Sequence, residues 1–260
     1  MDAYEGLIDV VRRRRSVRKF APGRAVERDT LLRILEAGRW APSGANSQPW
    51  DFVCVDDPDG REAVRQVFLR QGERLRTRAT GFPAVHKRYL AHTAAIVLVL
   101  GDPRWKICYP QADRPEHRAE YAENNENIFF CSLGAAIQNI QLAATAVGLT
   151  SAWLSGGGEE ETAAELRDLL GFPEGMRPYG TIPIGYPAED QALRYRRPLG
   201  LLVHWNRYEE EKFRPDGLVA HYVESVRPFA MYRGSEAMED WDDLDERLGP
   251  WRDAYLGATR

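Results

Sequence analysis

Arg12-Arg13-Arg14-Arg15-Ser16-Val17-Arg18-Lys19 is the densest run of reactive side chains in the sequence. Guanidinium forks beside a hydroxyl hold a phosphate well, because several charge-assisted donors stand in fixed geometry. The same run also suits the solvated C-terminal pole of a helix, where cations face the negative end of the dipole. A second concentration lies at Ala41-Pro42-Ser43-Gly44-Ala45-Asn46-Ser47-Gln48-Pro49-Trp50. Pro-Ser-Gly alone is a turn. Four small polar side chains beside a tryptophan are, in addition, the hydrogen-bonding groups expected at the edge of a ligand.

Other chemistries find less support. There is no GxGxxG after a strand and no GxxxxGK[ST], and Gly156-Gly157-Gly158 fits neither. His86, His92, His117, His204 and His221 have no metal-ligand spacing, so no metal site is expected. Ser155 is outside any GxSxG elbow, which leaves hydrolase chemistry without a basis. Tyr121, Asn124, Asn125 and Asn127 read as loop and cap residues. Between Arg61 and His92 the basic residues far outnumber the acidic ones, with Arg70, Arg74 and Arg78 at i, i+4 spacing. Like charges so placed weaken a helix by a few tenths of a kcal/mol per pair. That region is either a solvated face or a basic lid that recruits an anionic donor or substrate.

Alternating helices and strands must position these residues. Apolar periodicity predicts helices over Tyr4–Arg14, Thr30–Arg39 (capped by Asp29 or Thr30), Arg61–Arg78, Asn127–Val147 and Thr162–Leu170. Short apolar runs predict strands at Asp51–Val55, Ala95–Leu100, Ala152–Leu154, Thr181–Gly185 and Leu201–His204. Trp105–Asn125 is polar and aromatic and reads as a long loop. Without a clean βαβ repeat, the pattern is that of an α+β fold.

The chain has 260 residues, with 43% hydrophobic and 28% charged, which makes it a folded globular protein and not a disordered one. Its net charge of −4 argues against a dedicated nucleic-acid binder and favours a small phosphate ligand. Cys54, Cys108 and Cys131 are odd in number and form no CxxC pair. Reduced thiols in the cytoplasm are the expectation, and the N-terminus shows no apolar signal region. Cys131–Leu149 is interrupted by Ser132, Gln138, Asn139, Gln141 and Thr145, whereas a membrane span wants about 20 predominantly apolar residues. We therefore expect a buried central helix there and no membrane contact. From Glu209 the composition turns acidic and aromatic (Phe213, Tyr222, Phe229, Tyr232, Trp241, Trp251 and Tyr255), too short for a sizeable core alone. Two regions are expected: a main domain over 1–208 and an extension over 209–260 that wraps the body or a partner subunit.

RRSVRKF, then APSGANSQPW, then GAAIQNIQLAATAVGLTSAWLSG, IPIGYP and RRPLGLLVHW, in this order, resemble the nitroreductase superfamily of FMN-dependent oxidoreductases over roughly residues 5–208. The resemblance implies a mixed sheet flanked by helices, a long central helix at a homodimer interface, and an active site shared by two subunits. It implies FMN as cofactor and NADH or NADPH as transient electron donor, with a nitro-, quinone- or enone-type small molecule as acceptor. Carried over by position, Arg14, Arg15, Ser16 and Arg18 would bind the flavin, Arg15 at the phosphate and Arg18 nearer the N1/O2 edge. Pro42, Ser43, Gly44 and Asn46 would approach it from the second subunit. Leu154, Ser155 and Gly156 lie on the strand whose backbone passes N5 and O4. Arg196 matches the late phosphate-binding arginine, with Arg194 and Arg197 as candidates for a second contact. The flavin N5 carries the chemistry, so no side chain is assigned as catalytic. Ser155 either offers its hydroxyl to N5 as a modulator of one-electron steps or faces the other side of its strand. Gly72 and Arg76 stand where the related dehalogenases place a Glu and a Tyr, although Lys87 matches their Lys. That departure counts against a halotyrosine substrate. The alternatives are a flavin-dependent dehydrogenase or dehalogenase-like enzyme, or a flavin-binding sensor without turnover.

Overall fold

The computed structural model describes residues 2–78, 87–107, 115–154, 156–190, 195–227 and 244–256, without the side chains of 78, 115–118 and 120. Contacts divide the chain into two compact units, Met1–Asp190 and Gln191–Arg260.

The first unit is built on a four-stranded sheet of order β1-β2-β4-β3. Its strands are β1 (Trp50–Val55), β2 (Ala95–Gly101), β3 (Thr150–Ser151) and β4 (Arg177–Gly185). Neighbours pair antiparallel, with Val53 opposite Leu98 and Val97 opposite Ile182. Among the described residues the mixed character of the sheet rests on one isolated parallel bridge, Ser16 to Ser151. β2 is the continuous apolar run Ala-Ile-Val-Leu-Val-Leu because both of its faces are covered. Val97 and Val99 face one core with Ile34, Phe129, Leu133, Ile137 and Ile140. These come from α2 (Arg28–Arg39) and the 32-residue α4 (Pro115–Ala146). Ile96, Leu98 and Leu100 face a second core with Val64, Val67, Phe68 and Leu166, which belong to α3 (Pro58–Arg78) and α5 (Glu160–Leu170). A short helix, α1 (Ala3–Arg13), leads into the unit and has no buried residue. The class is α+β, a sheet sandwiched between helices.

Four local expectations need correction. The expected loop Trp105–Asn125 is instead a 3-10 turn at Pro103–Ile107 and, from Pro115, the first turns of α4. Tyr121 to Asn124 in that helix are exposed, so no apolar stripe marks them; only Asn125 turns inward before Phe129. The strand expected at Ala152–Leu154 is reduced to Thr150–Ser151 plus a bridge from Leu154 to Thr181. Ala152 donates to the Pro183 carbonyl, but proline has no N–H to return, and the ladder breaks there. Leu201–His204 forms no strand: a 3-10 turn at Leu199–Leu201 puts the local bonds within the segment, from Leu202 and Val203 N to Leu199 O. α2 also starts earlier than expected, with Glu27 and not Asp29 or Thr30 at its cap.

Tyr121–Ala146 is long and apolar enough to cross a membrane by composition, yet half of its most apolar window is buried within the protein. Phe129, Leu133, Ala136, Ile137, Ile140 and Ala144 explain why, since they pack in the sheet core. Such a face belongs to the core helix of a folded unit.

The second unit has its own small core of Leu218, Val226, Leu248 and Tyr255, with Tyr195, Tyr222 and Trp251 packed on it. Tyr195 Oη donates to the Tyr255 carbonyl at 2.7 Å. That contact draws residues upstream of the compositional change at Glu209 into the C-terminal unit. Phe229, Tyr232 and Trp241 lie outside the described residues.

Candidate active site

α1 ends at Arg13, and the following residues leave it as an extended arm. Val17 N donates to Ser151 O at 2.9 Å, and Ser16 bridges the same residue. Val17 and Phe20 are buried and anchor the arm, while Ser16 and Arg18 stay exposed and Arg14 and Arg15 are half-buried. Around Val17 this is the alternation of an extended segment, with Ser16 and Arg18 facing away from the buried side chain between them. The arm therefore presents its cations along the β3 edge. Arg15 Nη1 also donates to its neighbour's carbonyl, Arg14 O, at 2.8 Å.

Arg18 meets two side chains of one other element. It faces the Tyr89 hydroxyl, whose pKa burial pushes up and Arg18 pulls back. Burial pushes the Lys87 ammonium below its ordinary value, Glu159 opposes that shift, and Arg18 adds to it. Lys87 and Tyr89 sit in a 3-10 turn at Lys87–His92. Glu159 accepts from Gln71 Nε2 at 2.7 Å and from Gly157 N at 2.8 Å. Gln71 comes from the inner face of α3, is only 2% exposed, and its Oε1 has no partner among the described residues. Gly156 packs on this amide so closely that a Cβ there would lie 2.5 Å from Gln71 Nε2. Cations, a hydroxyl, a buried amide and a glycine backbone thus converge within the first unit.

The sequence-predicted residues divide by place. Arg14, Arg15, Ser16, Arg18 and Gly156 are at or beside this cluster. Leu154 donates to and accepts from Thr181 (2.9 and 3.0 Å), and its side chain is in the core, so its N–H is already committed within the protein. Ser155 and Arg194 lie outside the described residues. Arg196 and Arg197 belong to the second unit, where Arg196 donates to Tyr195 O at 2.9 Å and Arg197 to Leu201 O at 3.1 Å.

Pro42, Ser43, Gly44 and Asn46 form a separate turn tied to α4. Gly44 N donates to Ser132 Oγ at 3.2 Å, and Gln48 N to Ser43 Oγ at 3.0 Å. Ala45, Asn46 and Gln48 all have positive φ, near 50°. Three non-glycine residues in that region mark a backbone held in an unfavourable shape, a feature that clusters at functional sites. Pro42, Ala45 and Asn46 are exposed, and Ser47 Oγ is buried without a partner among the described residues.

The basic row on α3 resolves into a clasp. Arg70 and Arg74 both bind Glu165 of α5, and Arg74 also donates to Thr162 Oγ1 at 3.0 Å. Both guanidiniums pair across α3 and α5, Arg70 while still 53% exposed; the side chain of Arg78 lies outside the described residues. Gln71, Tyr89 and Glu159 had escaped the sequence reading. Gln71 did leave a signal, a polar residue on the Val64, Val67, Phe68 stripe at helical spacing. Among the described residues, no group of three or more His, Cys, Asp or Glu could hold a metal.

Residues 11–186 match the model of the nitroreductase family, and the chain belongs to that family. An NADPH-dependent oxidoreductase of Staphylococcus aureus is 25% identical, over 92% of this chain and 88% of that protein. Mouse iodotyrosine deiodinase 1 is 28% identical, over 71% of this chain and 63% of that protein. Among solved structures, a BluB-like flavoprotein of Clostridium difficile superposes with a TM-score of 0.62 at 24% identity, over 77% of this chain and 99% of that one. The NADPH:FMN oxidoreductase of Vibrio harveyi, complexed with NAD+, superposes with a TM-score of 0.60 at 21% identity, over 86% of each chain. These two likenesses show the fold.

Proposed function

We propose that this protein is an FMN-dependent oxidoreductase that takes electrons from NADH or NADPH and passes them, in ping-pong order, to a nitro-, quinone- or enone-type small molecule. The observation that carries this reading is a connected set of groups: the arm pairs with Ser151, its Arg18 faces Lys87 and Tyr89, and Lys87 faces Glu159, which binds Gln71 and Gly157 beside Gly156. The donor set fits the cofactor. Guanidiniums and the Ser16 hydroxyl suit a phosphate, and the unmatched Gln71 Oε1 suits a ring N–H. When bound, FMN supplies the two-electron chemistry that no side chain here can perform. Arg15 would hold the phosphate, with Arg196 as the late phosphate contact. Arg18 and Lys87 would place positive charge beside the N1–C2=O edge, where reduction puts negative charge. The family membership and the names of the relatives support both cofactor and donor.

In the same reading the protein works in the cytoplasm as a homodimer, with Pro42–Asn46 reaching the partner's site and 209–260 extending from the flavin domain. The likeness to deiodinases favours one rival, reductive removal of a halogen, although Gly72 and Arg76 lack the side chains of that clamp. The test is anaerobic mixing of the purified protein with NADH and NADPH, then with a panel of nitro, quinone, enone and haloaromatic acceptors. One FMN per chain, bleached rapidly by one donor and reoxidised by an acceptor of the first three kinds, is the expected result. A protein that binds FMN but is bleached by neither donor would be a sensor, and one that binds none would sink the proposal.

A further inference from the structure

Glu159 occupies the N-cap of α5 but makes no capping bond to that helix. The helix dipole is already met by Glu160 and Glu161 in the first turn. The carboxylate turns the other way, and each oxygen accepts one hydrogen bond, from Gln71 Nε2 at 2.7 Å and from Gly157 N at 2.8 Å. The first bond orients the Gln71 amide: with Nε2 committed to Glu159, Oε1 is left as a buried acceptor without a partner among the described residues. The second holds Gly157 at φ +116, a conformation that L side chains rarely adopt. Glu159 is also the carboxylate that faces Lys87.

We propose that Glu159 is a positioning residue of the active site: it fixes the Gln71 acceptor and the Gly156–Gly157 backbone, and it sets the charge around Lys87. The inference rests on the FMN reading above and concerns how the site holds that group. A carboxylate accepts from both donors at once, whereas the amide of Glu159→Gln has one accepting end. One bond is therefore lost in that variant and the Gln71 amide is free to turn. The negative charge is lost as well, which leaves the flavin edge more cationic and favours the reduced form.

The experiment measures FMN affinity by titration of the apoprotein, and the flavin midpoint potential by anaerobic dye equilibration. Glu159→Gln should shift the ratio of reduced to oxidised FMN binding about tenfold toward the reduced form, which for a two-electron couple is about 30 mV upward. Glu159→Asp keeps the charge but shortens the reach, so its potential should stay at the wild-type value while oxidised FMN binds about tenfold more weakly. Glu160→Gln, which removes a charge one residue along, should leave both quantities unchanged. If Glu159→Gln does not fold, Glu159→Asp carries the test through its affinity. Wild-type affinity and potential in whichever Glu159 variants fold, or an equal shift in Glu160→Gln, overturns the inference while the FMN reading stands. A wild type that binds no FMN overturns both.

Discussion

Arg15 and Arg196 carry the phosphate assignment as single side chains, so each should cost measurable affinity when truncated. Arg15→Ala or Arg196→Ala should weaken FMN by about 1.5–3 kcal/mol, the scale of a hydrogen bond to a charged group. Equilibrium titration of apoprotein measures it, and two variants with unchanged affinity would remove both residues from the phosphate site. Cys54 makes a different kind of prediction. Burial in β1, and secondarily Asp56, pushes its thiol from the ordinary 9.0 up to about 11. The folded state holds this proton more tightly than the unfolded chain, so the contribution is complete below pH 9 and is lost as pH rises toward 11. Cys54→Val should therefore lose less stability than wild type between pH 8 and pH 10.5 in urea denaturation. Equal losses would show that the thiol does not titrate as its surroundings imply. At this scale the sequence was most informative where charge is clustered along the chain, as in Arg14–Arg18. Tyr89 and Glu159 were illegible because their roles exist only after α3, α5 and the Lys87–His92 turn have packed together.

The helices and strands were legible in proportion to how completely one face of each is buried. β2 is covered on both sides and reads as an unbroken apolar run, whereas the start of α4 carries an exposed polar surface and reads as loop. The lost ladder beyond β3 turns on Pro183, which lies on the opposite strand and cannot be matched to Ala152 without the register. Gly38 in α2 tests how tightly the elements fit. A Cβ there would lie 2.7 Å from Ile140 Cγ1 of α4 and 3.1 Å from Phe52 Cζ of β1. Alanine would gain roughly 0.5–1 kcal/mol in a helix interior, but overpacking a core costs about 1–3 kcal/mol. The second term should win, and Gly38→Ala should lower the denaturation midpoint. A midpoint at or above wild type would mean that α2 and α4 can separate at little cost.

At the scale of the whole chain, the family was legible because its motifs recur in order, while the boundary at Asp190 was not, since Tyr195 joins the later core only through tertiary contact. The apolar face of α1 points to an assembly larger than one chain. Leu7 is 56% and Val11 41% exposed, although their spacing is that of an amphipathic helix with a buried stripe. Phe130 on α4 and Trp40 at the end of α2 are exposed as well. Apolar side chains gathered at helical spacing on a surface mark an interaction site, and an obligate dimer buries about 2,000–5,000 Å² of such surface. Light scattering should return a dimeric mass for the FMN-bound protein. Leu7→Glu would place a charge at the centre of the α1 stripe, where α1 itself has no buried contact to lose. It should therefore shift the mass toward monomer and weaken FMN, because the Pro42–Asn46 turn of the partner would leave the site. A Leu7→Glu protein that remains dimeric would exclude α1 from the interface. A monomeric wild type with FMN fully bound would show that one chain completes the site alone.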